Sequence, residues 1–193
     1  MEDIEIIDII ARNQSAGFKI LVDKYQLMIT NTCYGFVRNR EDAEDIAQEV
    51  FIEIHKSLHK FRNESKLSTW FYRISVNKSL NFIRDNKKNS WFQSLDILFG
   101  ADKSEGKVIE PNDTDSNKPD RIMEDKETGE FIFEAISSLP KNQKVAFTLH
   151  KYEDLSYKEI AEVMELSLSS IESLMFRAKK NLQGKLIKYY KNL

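Results

Sequence analysis

Six glycines and three prolines are all the strong chain-breakers in 193 residues, and four of the nine stand between residues 100 and 119. Residues 4–88 contain only Gly17 and Gly35, and no proline. Apolar residues there recur at intervals of three and four. A stretch of that length and period satisfies its backbone most readily as long helices. Strand-like alternation is weak throughout, and no internal repeat is evident. The expectation is an all-α chain.

Where the breakers gather, the character of the chain changes. Gly100, Gly106, Pro111, Asn112, Asp113, Asp115, Asn117 and Pro119 stand among few aliphatic residues, which is the composition of a flexible acidic linker. Eleven acids face five bases from 89 to 130, a balance of −6 within a net charge of −2, so the remaining residues carry +4. Helical period resumes near Gly129 with Phe131, Ile132, Ala135 and Ile136, pauses at Pro140, and continues through Val145, Phe147 and Leu149. Pro140 suits a helix start, where its missing amide costs least. Two small helical domains, 1–90 and 128–193, are therefore expected on either side of a linker at 91–127. Each is close to the size at which a single core only just suffices.

The last third has the pattern of a helix-turn-helix. Ser156 and Glu159 are spaced as a capping box, and Ile160, Ala161 and Met164 then share one apolar face. After Glu165-Leu166-Ser167, a second helix repeats the period with Ile171, Leu174, Met175, Ala178, Leu182 and Leu186. The small Ala161 permits a close helix crossing. Ser170, Ser173 and Arg177 fall on the opposite face, where a recognition helix meets a major groove. No acid follows Glu172, whereas Arg177, Lys179, Lys180, Lys185, Lys188 and Lys191 are all cationic. A nearly neutral total thus hides an acidic middle and a basic end, the charge footprint of a nucleic-acid surface. A plain helical hairpin packed on a core has the same apolar period, so the pattern alone leaves both readings open.

The first domain carries a different signal. Ile46, Val50, Phe51, Ile54 and Leu58 mark an apolar face bordered by Asp42, Asp45, Glu49 and Glu53. Like charges four apart oppose the helix slightly. The row is either a solvated edge or a docking surface for a basic partner, where each carboxylate gains a charge-assisted hydrogen bond. Beyond it, a polar loop lies between Phe61 and Trp70, and Trp70, Ile74, Asn77 and Asn81 follow in one helical row. Aromatic planes beside amides and cations suit unstacked bases, each stacking contact being worth about 1–3 kcal/mol. Core packing is the competing role for Trp70 and Phe71.

Several classes of function find no support. Cys33 is the only cysteine, so no intrachain disulfide is possible and a reducing, cytoplasmic setting is expected. The acidic start Met1-Glu2-Asp3-Ile4-Glu5 lacks a secretory signal's basic region, and no uncharged stretch approaches membrane-spanning length. His55 and His59 are spaced for a shared metal, but no third ligand is evident. With no glycine-rich phosphate loop or nucleophile motif, the chain is expected to be non-enzymatic, without metal or cofactor and without membrane insertion.

Two segments resemble a known family. Residues 42–51 (DAEDIAQEVF), then Lys60-Phe61-Arg62, then 69–77 (TWFYRISVN) look like region 2 of bacterial extracytoplasmic-function (ECF) sigma factors of the sigma-70 family. Ser138-Leu139-Pro140, 155–161 (LSYKEIA) and 177–182 (RAKKNL) resemble their region 4, in the family's order and spacing. The resemblance implies a promoter-specificity subunit of RNA polymerase. Asp45, Gln48 and Glu49 would grip the clamp helices of the polymerase β′ subunit, with region 4 on the β flap. Phe61, Arg62, Asn63, Ser65, Lys66 and Asn77 would capture a flipped base of the minus-ten element in single-stranded DNA. Lys78, Arg84, Lys87 and Lys88 would meet nearby phosphates. Ser170, Ser173, Phe176 and Arg177 would read the duplex minus-thirty-five element, with Lys179 and Lys180 on its backbone. An anti-sigma factor would be a further partner.

Three positions depart from the family pattern. Members often place glycine where Glu165 stands, so the turn is expected either to differ in geometry or to hold a left-handed residue at some cost. They commonly have basic residues at the positions of Glu172 and Leu174. Glu172 would either cap the helix amides or accept a hydrogen bond from cytosine. Two other functions fit parts of the chain: a duplex-binding regulator using only the helix-turn-helix, or a module that binds polymerase or an inhibitor without DNA. A base-capturing loop at 61–77 has no use in either.

Overall fold

The computed structural model describes residues 2–61, 64–98 and 119–191. These form eight helices: α1 (Asp3–Arg12), α2 (Gln14–Val37), α3 (Arg40–Ser57), α4 (Leu67–Leu98), α5 (Pro119–Ser137), α6 (Lys141–Tyr152), α7 (Tyr157–Met164) and α8 (Leu168–Tyr190). A single 3-10 turn, Leu58–Lys60, follows α3. No strand occurs among the described residues. The chain is all-α, as its period demands. α4 and α5 extend into both ends of the 91–127 segment.

Short polar residues start four of the helices. The Asn13 side chain accepts from the Ala16 amide, Asn39 from Asp42, and Ser167 from Ser170. At α7 the expected capping box is complete: the Glu159 amide donates to Ser156 Oγ at 3.3 Å, and the Ser156 amide donates to Glu159 Oε2 at 3.0 Å. Each cap satisfies amides that the first turn leaves free, an effect of about 1 kcal/mol apiece. α7 ends on Glu165, whose φ of 55° and ψ of 43° are left-handed. Of the two expectations for that turn, the left-handed residue is the one present.

α1 to α4 enclose the first core, in which Ile6, Leu21, Ile29, Val50, Ile54 and Phe71 are fully buried. Phe71 meets Tyr25 edge-on at 4.8 Å between ring centroids. Gly17 is required where α1 crosses α2, because a β-carbon there would lie 2.5 Å from Ile10 Cγ1 and 2.6 Å from its amide nitrogen. α5 is seated separately, with Ala135, Ile136 and Leu139 against Ala178 and Leu182 of α8.

The second core crosses from one half to the other. Phe36 of α2 and Tyr72 and Val76 of α4 pack with Val145, Ala146 and Leu149 of α6, Ile160 and Val163 of α7, and Ile171 and Met175 of α8. Burying a side chain such as Phe36 contributes about 2–3 kcal/mol. At Gly35 the helices come so close that a β-carbon would stand 3.1 Å from Thr148 Cγ2. The sequence leaves the orientation of the two halves open; this seam fixes it.

Candidate nucleic-acid interface

Asp45, Gln48 and Glu49 are exposed together on the outer face of α3, while Ala43, Ile46, Ala47 and Val50 turn inward. The carboxylates feel one another. Burial first, then the charges of Asp45 and Glu41, raise the Asp42 pKa above its ordinary value. The row is partly neutralised from α4, whose Lys78 Nζ lies 3.4 Å from Glu49 Oε2. A residue expected at the polymerase surface and one expected at DNA thus meet.

The loop before α4 is held by aromatic packing. Phe61 stacks at a tilt on Trp70, 5.3 Å between centroids, and Trp70 lies 5.6 Å from the buried Phe71. Phe61 and Trp70 remain half-buried, with one surface outward. Ser65 is half-buried and Lys66 exposed. Arg62 and Asn63 lie outside the described residues. Asn77, seven residues beyond Trp70, is about two turns further along the same face. Both Asn77 and Asn81 are exposed, so the amides of this row lie in solvent and not among apolar groups. The helix row is shared, but solvent covers its far end because the core lies under Tyr72, Ser75, Val76 and Ser79 instead. Arg84 Nε pairs with its neighbour Asp85 at 3.0 Å, and Lys87 is exposed. The side chain of Lys88 lies outside the described residues.

α8 presents the third surface. Ser173, Phe176, Arg177, Lys179 and Lys180 are exposed, and Ser170 is half-buried. Ile171, Leu174, Met175 and Ala178 form the opposing buried face. Phe176 is 69% exposed, too open for a core residue. Arg177 Nε donates to the Ser173 carbonyl at 3.1 Å, and Lys179 Nζ to the Tyr157 hydroxyl at 3.4 Å. Ser170 Oγ is 2.8 Å from the Ser167 cap, so part of its capacity is used locally. Glu172 does not cap this helix. Ser167 does, and Glu172 stands one turn too far in to reach the free amides.

The contacts between the two halves have little signal in the sequence. Arg73 reaches from α4 to the end of α7, where its Nη1 pairs with Glu165 Oε1 at 2.7 Å and its Nη2 donates to the Glu162 carbonyl at 2.7 Å. Lys66 stands 3.8 Å from Glu159, an exposed and weak pair. Lys144 is only 5% exposed, and its Nζ donates to the Phe36 carbonyl at 3.5 Å. Burial, then the charge of Lys87, pushes its pKa down to about 8. Burial likewise pushes Glu153 up to about 7, beside the Tyr72 hydroxyl at 3.3 Å. Only the quoted motif around Arg73 offered any sequence signal for this group. Among the described residues no cluster of three His, Cys, Asp or Glu suits a metal. His55 instead packs edge-on to Phe18 and contacts Gln14. Cys33 is buried, and burial lifts its thiol to about 11. No described helix is long and apolar enough to cross a membrane.

Residues 21–89 match the family described as sigma-70 region 2, and residues 132–182 match sigma-70 region 4. An ECF RNA polymerase sigma-E factor of Haemophilus influenzae is 31% identical over 186 residues, which is 96% of this chain and 96% of that protein. In fold, the chain is similar to CnrH, solved in complex with the cytosolic domain of CnrY, with a TM-score of 0.64, 17% identity, and 95% and 96% of the two chains covered. It is also similar to the sigma factor RpoE of Bartonella quintana, solved with the anti-sigma factor NepR, with a TM-score of 0.58, 19% identity, and 88% and 96% covered. Two regions in family order and a relative matched over 96% of both chains establish the same conclusion: this chain belongs to the ECF sigma factors of the sigma-70 family, the subunits that bring RNA polymerase to promoter DNA.

Proposed function

We propose that this sigma factor divides its work among the three surfaces. Asp45, Gln48 and Glu49 dock on the basic clamp helices of the polymerase β′ subunit, and the 128–193 unit rests on the β flap. The aromatic pair Phe61 and Trp70, the loop Arg62, Asn63, Ser65 and Lys66, and the exposed amide of Asn77 hold an unstacked base of the minus-ten strand. Lys78, Arg84, Lys87 and Lys88 supply charge for its phosphates. Ser170, Ser173, Phe176 and Arg177 enter the major groove at the minus-thirty-five element, with Lys179 and Lys180 on the flanking backbone. The domains are 1–90 and 128–193, with 91–127 as the acidic linker between them.

One observation carries this reading. A single chain exposes both an acidic row on α3 and a helix face on α8 that has cations and no acid beyond Glu172. A duplex-binding regulator needs only the second of these. We also infer an anti-sigma factor as regulator, since one of the fold relatives was solved with such a partner. Run-off transcription with added core polymerase tests the whole scheme. Promoter-specific initiation supports it. Duplex binding without initiation points to a regulator, and core binding without initiation to an interaction module.

A further inference from the structure

One charged group on α8 has no structural role. Glu172 is exposed, and no described hydrogen bond or ion pair engages it. Its helical neighbours three and four residues away are Leu168, Ser169, Met175 and Phe176, so no base lies within i,i+3 or i,i+4 reach. Arg177, whose Nε donates to the Ser173 carbonyl at 3.1 Å, makes no described ion pair with Glu172. Yet Glu172, Ser173, Phe176 and Arg177 border one shallow concavity on the outer side of the helix. The carboxylate therefore shares the outward side of α8 with the arginine proposed to read DNA, where it repels phosphates and weakens binding to any sequence.

That repulsion is offset only by a donor within the groove. The major-groove edge of a base pair offers amino donors on cytosine and adenine. Cytosine N4 is the usual partner of a carboxylate, while adenine pairs better with an amide that both donates and accepts. We propose that Glu172 is a specificity-determining residue: it selects a cytosine in the upstream element and penalises every other base at that position. The proposal rests on the reading of α8 as the groove-facing helix.

Holoenzyme assembled with core polymerase can be used to select from duplex DNA carrying a randomised upstream element, with the wild-type chain and the Glu172→Ala, Glu172→Gln and Arg177→Ala variants. The wild-type chain should enrich cytosine at one position by about tenfold, the scale of a single base contact. Glu172→Ala should flatten that position alone, and Glu172→Gln should turn it towards adenine. If Glu172→Ala binds all sequences more tightly with an unchanged base profile, Glu172 is a bulk charge and the proposal fails. Arg177→Ala separates the two levels: if it leaves upstream selection intact, the groove-facing reading of α8 is what has failed. Glu172 is exposed in mid-helix, so alanine there should leave the fold intact.

Discussion

Replacing Glu153 with Gln should stabilise the closed seam at neutral and alkaline pH and flatten its pH dependence. Glu153 follows α6, with Oε2 beside the Tyr72 hydroxyl of α4 and Oε1 buried without a hydrogen bond. Burial is the main cause that lifts its pKa from 4.5 to about 7. The nearby hydroxyls of Tyr72 and Thr32 work against the rise, and the charge of Asp154 adds to it. The Tyr72 phenol and the Cys33 thiol stay neutral in this range, since burial pushes both upward. An acid whose pKa is raised by folding holds its proton more tightly in the folded state. Its contribution is therefore fully present below pH 4.5 and is lost as the pH climbs to about 7. The rise is worth at most about 3 kcal/mol. Partial solvent access reduces this to about 1–2 kcal/mol. Gln removes the charge and keeps the size of the side chain, and its carbonyl can still accept from the Tyr72 hydroxyl. Circular dichroism melts of both proteins between about pH 5 and pH 8.5 should diverge, with the variant higher by roughly 3–6 °C at the alkaline end. Parallel profiles, or a variant less stable at the alkaline end, would refute the desolvation argument.

The remaining predictions concern single contacts. Gly17→Ala places a methyl group against the Ile10 backbone and should cost about 1–3 kcal/mol in chemical denaturation; a neutral result would mean that α1 does not press on α2 as described. Arg73→Ala removes both ties to the end of α7 and should destabilise the chain by about 1–3 kcal/mol. A Glu165→Ala double-mutant cycle would then assign the ion pair's share. Phe61→Ala or Asn77→Ala should impair open-complex formation, followed by permanganate reactivity, far more than core binding; equal losses would indicate misfolding instead. Arg177→Ala should weaken binding to duplex upstream DNA and reduce its salt dependence by about one phosphate equivalent if the side chain meets backbone, or relax base choice if it meets a base edge. Either way, opening of a pre-melted template should survive.

Much of this molecule is written locally. The capping box of Ser156 and Glu159 spans only three residues, and the apolar face of α8 repeats within one turn. Such features depend on neighbours in sequence, so period and spacing reveal them. The exposed cations of α8 were legible for the same reason, whereas the left-handed Glu165 was one of two outcomes open for its turn. The sequence by itself therefore determined the all-α class, the two helical units and the surfaces proposed for polymerase and DNA.

Only the tertiary structure decided how the halves meet. Lys144 and Glu153 look like ordinary surface charges until Phe36 and Tyr72, 108 and 81 residues away in the chain, cover them. Arg73 is one more basic residue in an aromatic run until the end of α7 presents the Glu162 carbonyl and the Glu165 carboxylate, each at 2.7 Å. Gly35 is unremarkable until Thr148 arrives against it. The physical reason is the same in each case: desolvation and close packing are set by groups brought together through folding, and no periodicity within a single helix encodes which distant surface will remove its water.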